Sequence, residues 1–183
     1  MGIYILSDRD DIMAYKLADE ELYERLFRSG KVAFPQPADL PLRLIPGFGD
    51  APDQPKALGD IHRMSGRSSL FSVRAVEALA LYKSGVLFPV VLEGREEPFY
   101  WYWSTTVVDC LDPARTRYIA GVVSSPAFYE DKVGDNEIFT VPEDQRFQFD
   151  LYAQESIKEK IKKAKLIGFS LKKEAFDSKP WQS

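Results

Sequence analysis

One histidine, His62, and one cysteine, Cys110, are the chain's readiest sources of nucleophilic or acid–base chemistry. A Cys–His couple needs the imidazole within reach of the thiol, so that it can draw off the proton. The two stand in unrelated segments, Gly59-Asp60-Ile61-His62-Arg63 and Val108-Asp109-Cys110-Leu111-Asp112, with no local signature joining them. Cys110 follows an apolar run, where free cysteine packs as a small hydrophobe, so it is expected to be buried and chemically idle. His62 reads as a loop residue that hydrogen-bonds rather than as a general base. Asp109 and Asp112 are close in sequence, but their segment lacks the Asp/Asn-rich, glycine-containing pattern of a calcium loop. Asp112-Pro113 is turn chemistry after a strand. No Gly-x-Gly-x-x-Gly, Gly-Lys-Ser/Thr or Gly-x-Ser-x-Gly sequence occurs. Pro46-Gly47-Phe48-Gly49-Asp50 has two glycines without the helix and lysine of a phosphate loop, and reads as a loop. The expectation is therefore no catalytic residue, no metal, no cofactor and no enzyme.

Charge is the other chemistry on offer. The 183 residues carry 24 basic and 28 acidic side chains, a net −4, but the signs are segregated. Residues 1–24 hold seven acids against Arg9 and Lys16. Residues 129–150 hold seven more, Glu130, Asp131, Asp135, Glu137, Glu143, Asp144 and Asp150, against Lys132 and Arg146. Residues 155–173 reverse the sign, with seven lysines against Glu155 and Glu159. Such segregation can steer a charged partner. It does not give the dominant basic face that nucleic-acid binding needs. Among these groups Glu130, Asp131, Asp135, Glu137, Glu143 and Asp144 are the expected partner-binding residues. They lie between turn residues, and loops carry function more often than the elements they join. The competing role is solubility, for which scattered carboxylates suffice.

The elements that must hold these groups can be read from periodicity. Residues 2–6 form a short strand with Ile3 and Ile5 on one face. Residues 19–29 form a helix, N-capped by Asp19, with Leu22 and Leu26 on one face, Phe27 beside them and Gly30 as its stop. Val32 and Phe34 open a second strand. Half of the twelve prolines fall in 35–57, a long connection in which Arg43-Leu44-Ile45 touches an edge strand. Ser72 caps a helix to about Ser84 with Val73, Val76, Leu79 and Ala80 as its buried stripe, and Gly85 ends it. Residues 86–92 form a strand that Pro89 places at an edge or bulge. Phe99 to Val108 is a strand with bulky residues on both faces, hence central and covered on both sides. Phe99, Trp101 and Trp103 share one face, expected to pack against the Ser72 helix. Aromatics on a sheet can also stack on bases or sugars, but no arginine or lysine is interleaved here. Further strands are expected at 118–123 and 138–141, and at Phe147, Phe149 and Leu151. A lysine-rich helix follows over 154–165, with Ile157, Ile161 and Ala164 inward and Gly168 as its stop. A last strand takes Phe169 and Leu171, and the tail beyond Lys172 frays. Helix, strand, strand in succession at 72–108 gives an antiparallel hairpin and an α+β fold. The sheet is mixed and mainly antiparallel with a few packed helices, and residues 1–183 form a single domain.

No run approaches the roughly 18 apolar residues of a membrane helix, and residues 1–8 lack the features of a signal peptide. A single cysteine excludes an internal disulfide. The expectation is a soluble, cytoplasmic protein with no membrane and no nucleic-acid partner.

Residues 58–170 carry a resemblance in the order of their motifs. These are Leu70-Phe71-Ser72-Val73-Arg74-Ala75-Val76-Glu77-Ala78-Leu79, then Phe88-Pro89-Val90, the aromatic strand, Val107-Val108-Asp109-Cys110-Leu111-Asp112, Ile138-Phe139 and the segment from Ser156 to Phe169. Together they resemble a bacterial family of polymorphic-toxin immunity proteins, immunity family eleven. The resemblance implies a protein that binds a cognate toxin stoichiometrically, occludes it, and so protects its producer in interbacterial competition. It transfers no catalytic or contact residue. Two other classes stay open at this stage: an enzyme that reverses damage through Asp109, Asp112 or His62, and a small-ligand sensor built on the aromatic strand.

Overall fold

The computed structural model describes residues 2–28, 33–47, 57–64, 69–119, 122–145 and 150–172. Its strands are β1 (Ile3–Asp8), β2 (Tyr15–Leu17), β3 (Leu42–Pro46), β4 (Ile61–Arg63), β5 (Ser69–Ser72), β6 (Gly85–Leu92), β7 (Phe99–Ser104), β8 (Arg117–Ile119), β9 (Val122–Ser125), β10 (Ile138–Phe139), β11 (Leu151–Gln154) and β12 (Phe169–Lys172). The helices are α1 (Glu20–Tyr23), continued by a π turn over Glu24–Arg28, α2 (Val73–Leu79), α3 (Pro142–Gln145) and α4 (Glu155–Lys163). The fold is α+β with mostly antiparallel sheets, as expected. Gly30, Val32, Phe147, Phe149, the Phe48–Asp50 turn, Pro52, Pro55 and the tail beyond Lys172 lie outside the described residues.

Six strands form one sheet in the order β2-β3-β6-β7-β5-β4, antiparallel except for the β3–β6 pair. The sheet curls until its edges nearly meet: Tyr15 on β2 bridges Met64 just beyond β4, and Ile12 bridges Ala57. Alternation then gives each strand an inner and an outer face. Tyr15, Leu17, Leu42, Leu44, Met64, Leu70, Val90, Leu92, Phe99 and Trp101 fill the interior, with Leu26 and Phe27 packed against them. The outer face presents Ile61, Phe71 and Tyr102 to α2 and α4. The second sheet, β10-β11-β1-β12, closes that layer with Leu6, Ile138, Leu151 and Ala153. Its far face buries Ile3, Ile5, Phe139 and Tyr152 beneath Cys110, Leu111, Val123 and Val133.

Several local expectations hold for the expected reasons. Asp19 caps α1, its carboxylate accepting the Leu22 N–H at 2.9 Å. Ser72 caps α2, its hydroxyl oxygen accepting the Ala75 N–H at 3.2 Å. The aromatic strand is central and covered on both faces. Asp60 fastens three elements here: one carboxylate oxygen accepts the Ser72 hydroxyl at 2.7 Å and the other the Ile167 N–H at 3.0 Å.

Other expectations are corrected. The Phe99–Trp101–Trp103 face points into the curled sheet, and Tyr100 and Tyr102 face α2 instead. Alternation separates the two faces of a strand but does not say which one a helix covers. The α2 helix stops at Ala80, left-handed at φ 52°, well before Ser84. That early stop turns Leu81 into the core, where it is fully buried. Gly85 opens β6 rather than ending a helix; a Cβ there would stand 2.3 Å from the Trp103 carbonyl oxygen. Arg43-Leu44-Ile45 lies on an interior strand, paired on one side with β2 and in parallel with β6 on the other. Pro89 sits inside β6, opposite Tyr100 of β7, in a stretch that β3 does not reach: β3 pairs only with Val90–Leu92, so one side of β6 is locally an edge at the proline. Residues 118–123 form not one strand but the β8–β9 hairpin. The expected half-buried strand at Leu151 is buried at all four positions of β11. The chain after α4 turns at Lys165, φ 51°, three residues before Gly168. Arg74 donates to the Ala164 carbonyl at 3.2 Å there, a cation at the helix C-terminus.

Trp101 is the largest fully buried side chain and fills the middle of the curled sheet. Trp101→Ala is expected to cost about 3–5 kcal/mol, a large-to-small change with a cavity left behind. Urea denaturation checks this; an unchanged midpoint would mean that the interior does not depend on it.

Candidate functional site

The acidic segment is built on a pinned turn. Glu130–Lys132 forms a 3-10 turn, and Val133, fully buried, anchors the chain that follows. Gly134 adopts φ 57°, which lets the backbone reverse. Gln154, buried at the end of β11, donates its side-chain amide to the carbonyls of Gly134 at 2.7 Å and Asn136 at 3.1 Å. Asn136 in turn donates to the Val133 carbonyl at 2.8 Å. A turn held by two side-chain amides and a buried valine presents its carboxylates with little conformational entropy left to lose.

Glu130, Asp131 and Asp135 are exposed on this turn. Glu143, exposed on α3, shares its surroundings: with Asp109 it raises the pKa of Cys110, while Lys132 on the turn lowers it. Glu137 is half-buried, and Lys160 on α4 and Ser156 hydrogen-bond to its carboxylate. Burial opposes ionisation, but those hydrogen bonds prevail and hold its pKa below 4.5. Its charge is spent inside the fold. Asp144 lies on α3, and its side chain is outside the described residues. In the acidic N-terminal block, Asp8 is buried and accepts two hydrogen bonds from Arg63, and Asp11 pairs with Arg9.

Cys110 is fully buried beside Ile5 and Tyr152, and burial first, then the nearby carboxylates, pushes its thiol up to about 11. A thiol in that state is not a nucleophile. Asp112 accepts from Arg115 Nε at 2.5 Å and from the Ala114 N–H at 3.0 Å, and the arginine holds its carboxyl below 3.8. It makes the predicted turn. Phe99, Trp101 and Tyr102 are core residues, so the aromatic strand is packing rather than an open platform. Among the described residues no three His, Cys, Asp or Glu side chains gather as a metal site, and no helix is long and apolar enough to cross a membrane.

A second cluster was not visible in the sequence. His62 sits on β4, not in a loop, and is fully buried. Its Nδ1 lies 2.8 Å from the Met13 carbonyl, so Nδ1 donates and Nε2 carries the lone pair in the neutral ring. The Tyr15 ring meets it edge-on at 5.1 Å, Phe99 lies 5.3 Å away, and the Arg95 guanidinium covers Phe99 at 4.9 Å. Among the described residues Tyr15 Oη, His62 Nε2 and Arg95 Nη1 are buried without a hydrogen-bond partner, as is Trp101 Nε1. Each such group costs about 1–3 kcal/mol if nothing satisfies it. Arg95 also lines a surface recess of about 220 Å³ with Asp60, Arg74 and Glu97, and pairs with Glu97. The signal that joins Tyr15, His62 and Arg95 is the meeting of the sheet edges, which no local pattern encodes.

Two predictions follow from burial. Desolvation, with the Arg95 charge adding to it, lowers the pKa of His62 below 6.5 against the hydrogen bond to Met13. The unfolded chain therefore binds a proton as pH falls through 6.5 while the folded chain does not. The His62 contribution to stability is complete above that pH and is lost below it, by at most about 1.4 kcal/mol per pH unit. Urea midpoints at neutral and mildly acidic pH should fall more steeply for wild type than for His62→Leu; equal slopes would mean that His62 is not the group responsible. Cys110, for its part, should react with a thiol reagent only after denaturation, and Cys110→Ser should leave the function of a folded protein intact.

No protein-family model matches the chain, and no curated protein matches it in sequence.

Proposed function

We propose that the chain is an immunity protein, one that binds a cognate interbacterial toxin in the cytoplasm of its producer and blocks the toxin by occlusion. The observation that supports this is the pinned acidic turn. Asp131 and Asp135 stand exposed on a backbone held by Gln154, Asn136 and Val133, with exposed Glu143 near the same end. Exposed carboxylates on a fixed backbone suit a basic groove, where they take the place of an anionic substrate and pair with its arginines. Resemblance over 58–170 points the same way. The enzyme alternative has less support, since Asp112 is committed to Arg115 and His62 is sealed inside the sheet.

The test is binding to the toxin encoded beside this chain's gene. Asp131→Lys, Asp135→Lys and Glu143→Lys together should slow association and raise Kd at least tenfold, about 1.4 kcal/mol. Reversing Glu20 and Glu21, exposed on α1, should do much less. Affinity should weaken as salt rises through the physiological range. A triple variant that folds and binds like wild type would remove the acidic turn from the interface.

A further inference from the structure

We propose that one water molecule is held inside the curled sheet between Tyr15 Oη, His62 Nε2 and Arg95 Nη1, and that it ties the seam where the sheet's two edges meet. The three atoms come from β2, β4 and the turn after β6, so they span both edges of the sheet. Ring contacts gather the three side chains around Phe99: the Tyr15 ring meets His62, and His62 and the Arg95 guanidinium both lie against Phe99. All three lack a partner among the described residues, and Tyr15 and His62 are within 1% of complete burial. Among the described residues the backbone pairing across this seam is a bridge from Tyr15 to Met64 and another from Ile12 to Ala57, with the His62–Met13 hydrogen bond beside them.

Donor and acceptor chemistry identifies the guest. Arg95 Nη1 only donates, His62 Nε2 accepts because Nδ1 donates to Met13, and the Tyr15 hydroxyl does either. Water accepts from the first, donates to the second and closes the set with the third. An anion fits less well. Glu97 already meets the Arg95 charge, Glu93 faces Tyr15, and Asp8, paired with Arg63, faces His62. A cation would face the Arg95 charge. Buried solvent of this kind bridges two to four otherwise orphaned groups.

Crystals of the full chain, at a resolution that shows ordered solvent, should reveal an isolated peak about 2.6–3.2 Å from at least two of the three atoms. A Tyr15 hydroxyl bonded straight to His62 Nε2, with no peak between, overturns the proposal. Crystals soaked in bromide should show no anomalous peak there; one would mean an anion site instead. Imidazole nitrogen resonances of the wild-type protein should report the Nδ1–H tautomer, and the Nε2–H tautomer would overturn the assignment. For the seam role, Tyr15→Phe should quicken hydrogen exchange of the Met13 and Met64 amides and leave α4 unchanged. Unchanged exchange at the seam would show that the water does not hold it.

Discussion

A single strand with bulky residues on both faces divides this molecule. β7 places Phe99 and Trp101 on one side and Tyr100 and Tyr102 on the other, so no position along it can be given to solvent cheaply. The sheet must then curl around one face and be roofed on the other. The interior takes the indole and phenyl rings together with the leucines of β3 and β6. The roof takes α2, α4 and one face of the four-stranded sheet. Everything outside that second sheet, including the loops that carry the acidic turn, is a third layer resting on Ile3, Ile5, Phe139 and Tyr152.

Local chemistry was legible and distant chemistry was not. The caps at Asp19 and Ser72 could be read because a cap is decided within four residues. The covering of both faces of β7 could be read because alternation is a property of one strand. What α2 packs against could not, since it depends on the direction of curl. His62 read as a loop residue because β4 is three residues long and exists only through its pairing with β5. The interior position of β3 was hidden for the same reason: its parallel partner lies 48 residues on, across the chain that forms β4, β5 and α2. In the acidic segment, composition located the carboxylates but could not show that Lys160, on a helix further along, pairs with Glu137. Charge blocks show where carboxylates are, not which of them the fold has already used.

The two candidate sites obey opposite rules. At the acidic turn the backbone is fixed by buried side-chain amides and the charges are left in water, where their attraction to a partner is long-ranged and screened by salt. At the seam the polar groups are withdrawn from water, and their value lies in being satisfied rather than in being charged. On the proposed reading, a protein that waits for a partner needs the first arrangement rigid before the partner arrives. The second arrangement supplies rigidity to the frame.

β1 lies in the middle of its sheet, with β11 on one side and β12 on the other. β1 is thus completed by two strands that lie 145 residues or more further along the chain. Until residues 151–172 have emerged, Ile3, Ile5 and Leu6 have no sheet to join, and the roof over β7 is open. Loop closure over so long a separation makes such a topology slow to form. During synthesis β1 therefore stays an unpaired apolar strand, and its sheet closes only when β11 and β12 come to lie on either side of it.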